Sequence, residues 1–346
     1  MSFSKVLFVG LGGAGQRHLR IFKQILPKDS IFASFRRTSR TPLLRPDFTV
    51  NESNTIEEEY GLHMYQDLES AFASGPDLTV ISTPTSCHRE PMMMAMEAGS
   101  GVFVEKPWAE NLEGFEEFGN GMLAKGLPFH ISFQRRYHPL LAQARHVVVS
   151  GALGKLLAAE FIVYSNVPSW HPYEDWRELY AVRADLGGGV LLTEIHEIDL
   201  ANWFFGVPDA VFCAGGNRCL EPLDVEDTVQ MTLLYPGFSV QVTLCFMHQR
   251  PSRRIHIAGT DGDIEWSDRE NCLRMVSFSG EAEEFRKPGL TNDDMFIAQA
   301  ESFLKGWSVE NTKESIAAAG NSLAIVEAAR RSLGSGQVER VVRAIA

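Results

Sequence analysis

The chain lacks long apolar runs. Among its 346 residues, no stretch reaches the roughly 18 consecutive apolar residues of a membrane-spanning helix. The start, Met1-Ser2-Phe3-Ser4-Lys5, has no signal-peptide core. The five cysteines include no pair at two-residue spacing, which favours reduced thiols over a metal or redox motif. These features predict a cytoplasmic protein with no membrane partner and no metal.

Basic residues are also scarce relative to acidic ones. The sequence has 32 Lys and Arg against 44 Asp and Glu, a formal net charge of −12. General nucleic-acid binding needs a basic surface, so we expect no nucleic-acid partner, and any phosphate must be held by a local site. The length exceeds what a single hydrophobic core usually supports, which predicts two domains.

A glycine-rich motif follows the first apolar segment. The strand-like residues 5–9 lead into Gly10-Leu11-Gly12-Gly13-Ala14-Gly15, which opens an apolar helix. In this context Gly-x-Gly-x-x-Gly is a dinucleotide fingerprint: Gly10 permits the turn, Gly12 admits a pyrophosphate, and Gly15 allows close packing. The helix amino terminus adds N–H donors for phosphate. The predicted cofactor contacts here are Gly10, Gly12, Gly13, Ala14 and Gly15.

The second predicted strand, residues 31–35, favours NADP over NAD. An NAD site usually has an acid about 20 residues after the glycines, where it binds the ribose hydroxyls. This chain instead places Arg36, Arg37, Thr38 and Ser39 there. Two guanidinium groups and two hydroxyls suit a 2′-phosphate. The alternative is an ordinary solvated basic loop.

An apolar strand delivers Lys106 to its carboxyl end, in Val102-Phe103-Val104-Glu105-Lys106-Pro107. Ligands of open parallel sheets bind at that edge, although taken alone an ordinary polar turn is the better interpretation. The loop after the preceding strand reaches the same edge. Further predicted cofactor contacts are Ser82, Thr83, Pro84, His88, Glu105 and Lys106.

The two halves of the chain carry different sheet patterns. Strands alternate with helices through residues 1–133, which predicts an N-terminal Rossmann domain with a doubly wound parallel sheet. In residues 134–346, turn signals at 236–237 and 260–263 predict hairpins, and therefore an α/β domain with a large, mostly antiparallel sheet. One face of such a sheet is predicted to pack on a second subunit, giving a homodimer or homotetramer.

Residues 168–177 form a loop dense in aromatic and polar groups. Aromatic faces beside hydrogen-bonding and cationic side chains suit a sugar ring with a phosphate or carboxylate. A surface loop anchored by its tryptophans is an equally good interpretation of each single residue. The predicted substrate contacts in and after this loop are His171, Tyr173, Asp175, Arg177 and Tyr180.

Several local patterns together resemble the Gfo/Idh/MocA family of sugar and polyol oxidoreductases. The resemblance spans about residues 5–265, and the loop at 168–177 is similar to the branch found in bacterial surface-polysaccharide and nonulosonic-acid sugar pathways. The patterns are Gly10-Leu11-Gly12-Gly13-Ala14-Gly15 with Gln16-Arg17-His18, Ser82-Thr83-Pro84-Thr85-Ser86-Cys87-His88, Val104-Glu105-Lys106-Pro107, Gln134-Arg135-Arg136-Tyr137-His138-Pro139, Gly187-Gly188-Gly189 and His196-Glu197-Ile198-Asp199.

The resemblance implies an active site in the cleft between the two domains. By analogy, Lys106 lies beside the nicotinamide and hydrogen-bonds the reacting hydroxyl, and His196 is the acid/base, although the lysine ammonium could also act as the acid itself. Arg136 and Thr193 join the predicted substrate contacts. Thr193 stands where relatives usually have an Asp, and a hydroxyl cannot stabilise an imidazolium by charge.

Other charged residues could replace the absent Asp. Glu194 and Glu197 flank His196 in sequence, and Asp199 shares its face at helical spacing. A histidine supported by one of them would still accept a proton during alcohol oxidation. The missing Asp nevertheless puts the proton relay in doubt.

These features predict an NAD(P)-dependent oxidoreductase that transfers a hydride between the nicotinamide, with NADP favoured, and a secondary alcohol of a sugar, sugar derivative or polyol. One alternative is a non-catalytic dinucleotide-binding sensor on the same fold, since function depends on sites rather than folds. A second alternative is a metal hydrolase, but its only pair of candidate ligands is His196 and Asp199, and the sequence indicates no third ligand.

Overall fold

The computed structural model describes residues 3–37, 41–219 and 223–344. The chain divides into two compact units that are not continuous in sequence. Unit 1 comprises Met1–Ser132, His171–Asp175 and Phe296–Ala319, and unit 2 comprises Phe133–Trp170, Trp176–Met295 and Gly320–Ala346. The assignment of residues 1–133 and 134–346 as functional domains stays a prediction.

Unit 1 contains a six-stranded parallel sheet in the order β3-β2-β1-β4-β5-β6. The strand order reverses beside β1, and ligands of such sheets bind where that reversal opens a crevice at the carboxyl ends. The doubly wound sheet confirms the predicted fold class. The strands are β1 (Lys5–Val9), β2 (Ile31–Phe35), β3 (His63–Met64), β4 (Leu78–Ile81), β5 (Gly101–Glu105) and β6 (Phe129–Ser132).

Helices accompany these strands because every crossover between parallel strands needs one. Strand β1 is almost wholly buried, and Phe8, Phe22 and Phe103 pack together in the core of unit 1. Phe296 and Phe303, from the far end of the chain, join this core. The helices are α1 (Gly13–Ile25), α2 (Ile56–Tyr60), α3 (Leu68–Ala73), α4 (Arg89–Glu97) and α5 (Phe115–Ala124).

The apolar pattern of residues 111–125 predicts a helix from about Asn111, but α5 begins at Phe115. The Asn111 side-chain oxygen accepts a hydrogen bond from the backbone N–H of Glu113 at 3.0 Å, a local turn that competes with helix formation. Gly114 then has the positive φ of +75°. The helix therefore starts at Phe115, after the turn.

Unit 2 contains a nine-stranded mixed sheet in the order β14-β13-β12-β11-β7-β10-β9-β8-β15. Only β7 and β10 pair in parallel among its described strands, and the predicted hairpins β9-β10 and β11-β12 are present. The strands are β7 (Leu156–Asn166), β8 (Ala210–Gly216), β9 (Thr228–Tyr235), β10 (Phe238–Cys245), β11 (Met247–Gly259), β12 (Gly262–Ser267), β13 (Cys272–Ser277), β14 (Ala282–Arg286) and β15 (Glu339–Arg340).

Alternating burial along β9, with Val229, Met231 and Leu233 inside, shows that one face of this sheet carries the core of unit 2. The helices of unit 2 are α6 (Pro139–Val149), α7 (Val190–Thr193) and α8 (Ile195–Phe205). Helices α9 (Asn292–Gly306) and α10 (Val309–Ser335) contribute residues to both units. Within the described ranges, no helix is long and apolar enough to cross a membrane.

Candidate functional site

The glycine motif forms the tight connection between β1 and α1. Gly10 has φ +90° and donates its N–H to the Phe35 carbonyl at 3.0 Å, and a Cβ there would lie 2.9 Å from the Thr83 nitrogen. A Cβ on Gly15 would lie 2.5 Å from the Gly10 carbonyl oxygen. Side chains at these positions would push strand, helix and neighbouring loop apart, so both glycines are needed for the turn itself.

Gly12 and Gly13 differ in what surrounds them. A Cβ on Gly12 would meet nothing within 4 Å among the described atoms, so its face is open to a ligand. A Cβ on Gly13 would lie 2.7 Å from the Phe48 ring and 3.5 Å from the Tyr173 hydroxyl. Ala14 is half-buried in the first turn of α1.

The start of α1 fits a diphosphate. Within the described part of the chain, no side chain caps this helix end, where the first backbone N–H groups of a helix have no partner within the helix. The positive end of the helix dipole favours an anion there. The motif thus keeps open the position through which a dinucleotide backbone would approach.

Two polar side chains hold the turn in place. The Ser82 hydroxyl donates to the Gly10 carbonyl at 2.9 Å. Gln16, fully buried on α1, donates to the Leu11 carbonyl at 3.1 Å and accepts from the Leu44 N–H at 2.8 Å. Ser82 was predicted as a cofactor contact, and in the structure it braces the turn. Gln16 was given no role from the sequence.

Both arginines of the predicted phosphate clamp have carboxylate partners. Arg36 Nη2 lies 2.5 Å from Glu57 Oε1, and Arg37 Nη2 lies 2.7 Å from Glu90 Oε2. Thr38 and Ser39, the hydroxyl members of the clamp, lie outside the described residues. A 2′-phosphate would therefore have to compete with carboxylates for these guanidinium groups. Glu57 was missed because the motif describes only residues next to β2.

His88 links the two loops that follow β4 and β5. Its Nδ1 lies 2.9 Å from the Pro107 carbonyl and its Nε2 lies 2.8 Å from the Thr83 carbonyl. The ring is 1% exposed, and burial lowers its pKa although the two carbonyls oppose that shift. His88 thus ties Thr83 and Pro84 to the segment that carries Lys106, and a direct contact with the cofactor stays a prediction.

Lys106 lies at the carboxyl end of β5, next to a hydrogen-bonded histidine–carboxylate pair. His18 Nε2 on α1 lies 2.6 Å from Glu105 Oε1. Burial acts to raise the pKa of Glu105, but the hydrogen bond and charge of His18, followed by the charge of Lys106, hold that pKa below its usual value. The Glu105 carboxylate is therefore fixed by His18. Both chain neighbours of Lys106 are bonded, Glu105 to His18 and the Pro107 carbonyl to His88.

The predicted substrate loop is divided between the two units. His171, Tyr173 and Asp175 belong to unit 1, whereas Arg177 and Tyr180 belong to unit 2. Arg177 is exposed and its guanidinium lies 4.8 Å from the ring centre of the neighbouring Trp176.

The unit 1 part of this loop lies against the glycine motif. His171 Nδ1 lies 2.7 Å from Glu174 Oε1, and the Tyr173 hydroxyl lies 3.3 Å from the same nitrogen. The His171 ring packs on Phe48 with the centroids 5.7 Å apart. Tyr173, whose pKa is raised by burial and then by Glu174, thus lies near Gly13. The substrate roles of His171 and Tyr173 stay predictions.

His196 and Thr193 are buried in unit 2, at 5% and 3% exposure. Thr193 ends α7 and His196 lies in the first turn of α8, because the helix is interrupted at Glu194. The His196 ring meets the edge of Phe133, with the centroids 6.1 Å apart. The interruption changes the helical relation between Thr193 and His196, whereas His196 and Asp199 keep their three-residue spacing within α8.

Arg253 pairs with two of the carboxylates that flank His196. Its Nη2 lies 2.5 Å from Glu194 Oε2, and its Nη1 contacts Glu197 Oε1. Ser165 donates its hydroxyl to the other oxygen of Glu194. Burial raises the pKa of Glu197, and the charge of Arg253 opposes that shift. This network fixes the start of α8, and the sequence motifs did not include Arg253.

Asp199 is paired with Arg136. Arg136 Nε and Nη2 donate to the two carboxylate oxygens at 2.8 and 2.7 Å, and the Ser322 hydroxyl donates to Oδ1 at 3.0 Å. Burial raises the pKa of Asp199, against the charge of Arg136. Arg136 was predicted to contact substrate, and its guanidinium instead makes a two-point bond with Asp199. A substrate role for Arg136 stays a prediction.

In the described ranges, no group of three or more His, Cys, Asp or Glu side chains is arranged to hold a metal ion. The described arrangement places hydrogen-bonding and charged side chains beside an open glycine turn.

Sequence comparisons identify the family. Residues 4–133 match the domain described as "Oxidoreductase family, NAD-binding Rossmann fold", and residues 141–265 match the domain described as "GFO/IDH/MocA C-terminal domain". The first match contains the strands of the parallel sheet, and the second contains strands β7 to β11 and most of β12 of the mixed sheet. The chain belongs to the Gfo/Idh/MocA oxidoreductase family and has its NAD-binding fold, which confirms the resemblance found in the motifs.

Individual relatives are distant. The chain is 27% identical over 246 residues to trans-1,2-dihydrobenzene-1,2-diol dehydrogenase of Bos taurus, covering 68% of this chain and 67% of that protein. It is 25% identical over 240 residues to 2,7-anhydro-N-acetylneuraminate hydratase of Mediterraneibacter gnavus, covering 67% and 62%. A levoglucosan dehydrogenase solved with NADH and L-sorbose has a TM-score of 0.77 at 20% identity, over 99% of this chain and 100% of that chain. That last likeness is one of fold.

Proposed function

We propose that this protein transfers a hydride between a nicotinamide dinucleotide and a secondary alcohol of a sugar, sugar derivative or polyol. The observation that carries the proposal is the placement of Lys106. It follows β5 at the same sheet edge as the open face of Gly12, because the carboxyl ends of parallel strands meet at one edge. The bonds of His18 and His88 hold that segment in position.

The chemistry needs a hydride acceptor, a stabiliser for the alkoxide and a base for the hydroxyl proton. The nicotinamide, when bound, supplies the hydride acceptor or donor. Lys106 stabilises the developing alkoxide by its positive charge, and His196 takes the proton. Thr193 is proposed to orient the substrate hydroxyl or the imidazole. The pairing of Lys106 with His196 on one substrate depends on the family resemblance.

The names of relatives support a hydroxylated ring as the substrate class. One relative is named for a trans-1,2-diol and another for an anhydro derivative of N-acetylneuraminate. Such rings present neighbouring polar groups that a few positioned side chains can distinguish. Homodimers or homotetramers formed through the sheet of unit 2 are part of the proposal, and the oligomeric state can be measured by sedimentation.

The test is dinucleotide binding and turnover with matched lysine variants. Titration of the reduced dinucleotide with wild-type protein should change the nicotinamide fluorescence. The wild type should also oxidise at least one member of a panel of sugars and polyols. Lys106→Met should retain dinucleotide binding and lose about 10²-fold or more in kcat, as when one group that stabilises transition-state charge is removed. The control is Lys305→Met, since Lys305 is an exposed lysine paired with Glu301, and this variant should keep the wild-type kcat.

The outcomes separate the candidates. Binding with no turnover on any substrate would favour the dinucleotide sensor. Turnover that is unaffected by Lys106→Met would contradict the assigned role of the lysine.

A further inference from the structure

The ion pair between Arg36 and Glu57 lies beside the glycine turn. Arg36 directly follows β2, and the carbonyl of Phe35, the preceding residue, accepts the N–H of Gly10 at 3.0 Å. Arg36 Nη2 lies 2.5 Å from Glu57 Oε1, and Arg36 Nη1 donates to the Thr41 carbonyl at 3.3 Å. The pair therefore lies where a Rossmann fold recognises the adenosine ribose.

Glu57 is held in place by its own local structure. It belongs to α2, whose first turn is capped by a reciprocal hydrogen-bond pair between Thr55 and Glu58. Ile56, the residue before it, is 2% exposed in the core of unit 1. The Glu57 carbonyl accepts the N–H of Leu62 at 3.0 Å. The carboxylate is thus presented from a fixed backbone.

The Arg36–Glu57 pair is more enclosed than its neighbour. The side chains of Arg36 and Glu57 are 15% and 22% exposed, whereas those of Arg37 and Glu90 are 62% and 58% exposed. Exposed ion pairs are weak because water and salt screen them. A partly buried pair at 2.5 Å is harder for an incoming anion to displace. The Arg37–Glu90 pair therefore serves as an internal comparison.

A carboxylate at this position distinguishes the two dinucleotides. It accepts hydrogen bonds from ribose hydroxyls and repels a 2′-phosphate. Oε1 of Glu57 contacts Arg36, and an ionised carboxylate has acceptor capacity for more than one donor. The Arg36 guanidinium, already paired, gains less from a phosphate than an unpaired one would. Both effects oppose NADP.

We propose that Glu57 is a cofactor-binding residue that accepts a hydrogen bond from the adenosine ribose, and that its pair with Arg36 sets a preference for NAD over NADP. This inference rests on the proposed dinucleotide function. It opposes the NADP preference predicted from Arg36 and Arg37, because that prediction took both guanidinium groups to be available for a phosphate. The structure instead gives each a carboxylate partner.

The test is the ratio of the NADPH and NADH dissociation constants, measured by nicotinamide fluorescence. Wild type should bind NADH more tightly. Glu57→Gln keeps the shape and removes the charge, and should shift the ratio toward NADPH by about tenfold or more, the size of one charge-assisted hydrogen bond. The double variant Glu57→Gln with Arg36→Ala should lose the gain in NADPH affinity. The control, Glu301→Gln in the exposed Lys305–Glu301 pair of α9, should leave the ratio unchanged.

The failures are distinguishable. If wild type prefers NADPH, or if Glu57→Gln leaves the ratio within twofold of wild type while both dinucleotides bind, the role of Glu57 is refuted and the proposed function stands. If neither dinucleotide binds any of these variants or wild type, the dinucleotide function and this inference both fail. Circular dichroism of each variant verifies that the fold is retained.

Discussion

Replacing Arg253 by methionine should destabilise unit 2, because two buried carboxylates lose the cation that pairs with both. Glu194 and Glu197 are 4% and 3% exposed in their side chains, and Arg253 is 13% exposed. Removing one partner of a buried ion pair typically costs about 3–5 kcal/mol, since an uncompensated charge is left in a poorly solvated site. We expect a loss of that size in the free energy of unfolding at pH 7.5.

The pH dependence gives the prediction a second readout. Burial already raises the folded-state pKa of Glu197 above its ordinary value of 4.5, and loss of the opposing charge of Arg253 should raise it further. A carboxyl group with a raised folded-state pKa binds more protons in the folded than in the unfolded protein. Stability therefore rises as pH falls toward that ordinary value, and the Arg253→Met defect should be smaller at pH 5.5 than at pH 7.5.

Urea unfolding followed by circular dichroism at the two pH values measures both effects. The control is Arg286→Met on β14, since the Arg286–Glu284 pair is exposed and should contribute little. Adding Glu194→Gln and Glu197→Gln to Arg253→Met should recover part of the lost stability, because the buried charges are then gone. A defect below about 1 kcal/mol at pH 7.5, or one that grows as pH falls, would refute the reasoning.

Three further substitutions test the cofactor side. Gly12→Ala should fold normally, because its Cβ meets no described atom, but its methyl group should block the diphosphate and weaken dinucleotide binding. Gly15→Ala should lower the melting temperature as well, because its Cβ would lie 2.5 Å from the Gly10 carbonyl oxygen. Equal stability of the two variants would contradict this. His88→Ala, which removes the contact with the Pro107 carbonyl, should lower kcat more than it weakens NADH binding. Unchanged kcat would show that the tie is unnecessary for Lys106.

The parts of the fold that local patterns specify were predictable from the sequence. Alternation of strands and helices gave the parallel sheet of unit 1, and the turn at 236–237 gave the β9-β10 hairpin. The strand, glycine and helix order placed the cofactor turn correctly between β1 and α1. Each of these depends on residues close in sequence, whose conformational preferences act directly on the backbone.

The partners of the charged site residues were not predictable in this way. Glu57 is 21 positions beyond Arg36, and Glu105 is 87 beyond His18, so neither spacing follows a helix or strand period. Strand β14 and the two-residue strand β15 were also missed, since the short or exposed segments carry little apolar alternation. Long-range pairs arise from tertiary packing, which a motif does not encode.

At three places where the sequence marks a charged side chain as a ligand contact, the structure pairs it with an opposite charge from a distant segment. The pairs are Arg36–Glu57, Arg37–Glu90 and Arg136–Asp199.

Such pairing changes what a charged residue does for a ligand. An unpaired guanidinium attracts any anion, whereas a paired one is held in a single geometry and binds a new anion only if that anion displaces its partner. When one member of a pair is removed, the other keeps its charge but loses its partner, and it can then bind a different ligand. Substitutions such as Glu57→Gln are therefore expected to alter which dinucleotide is preferred more than whether one binds. Binding itself should depend on the backbone of the glycine turn, where Gly12 stays open.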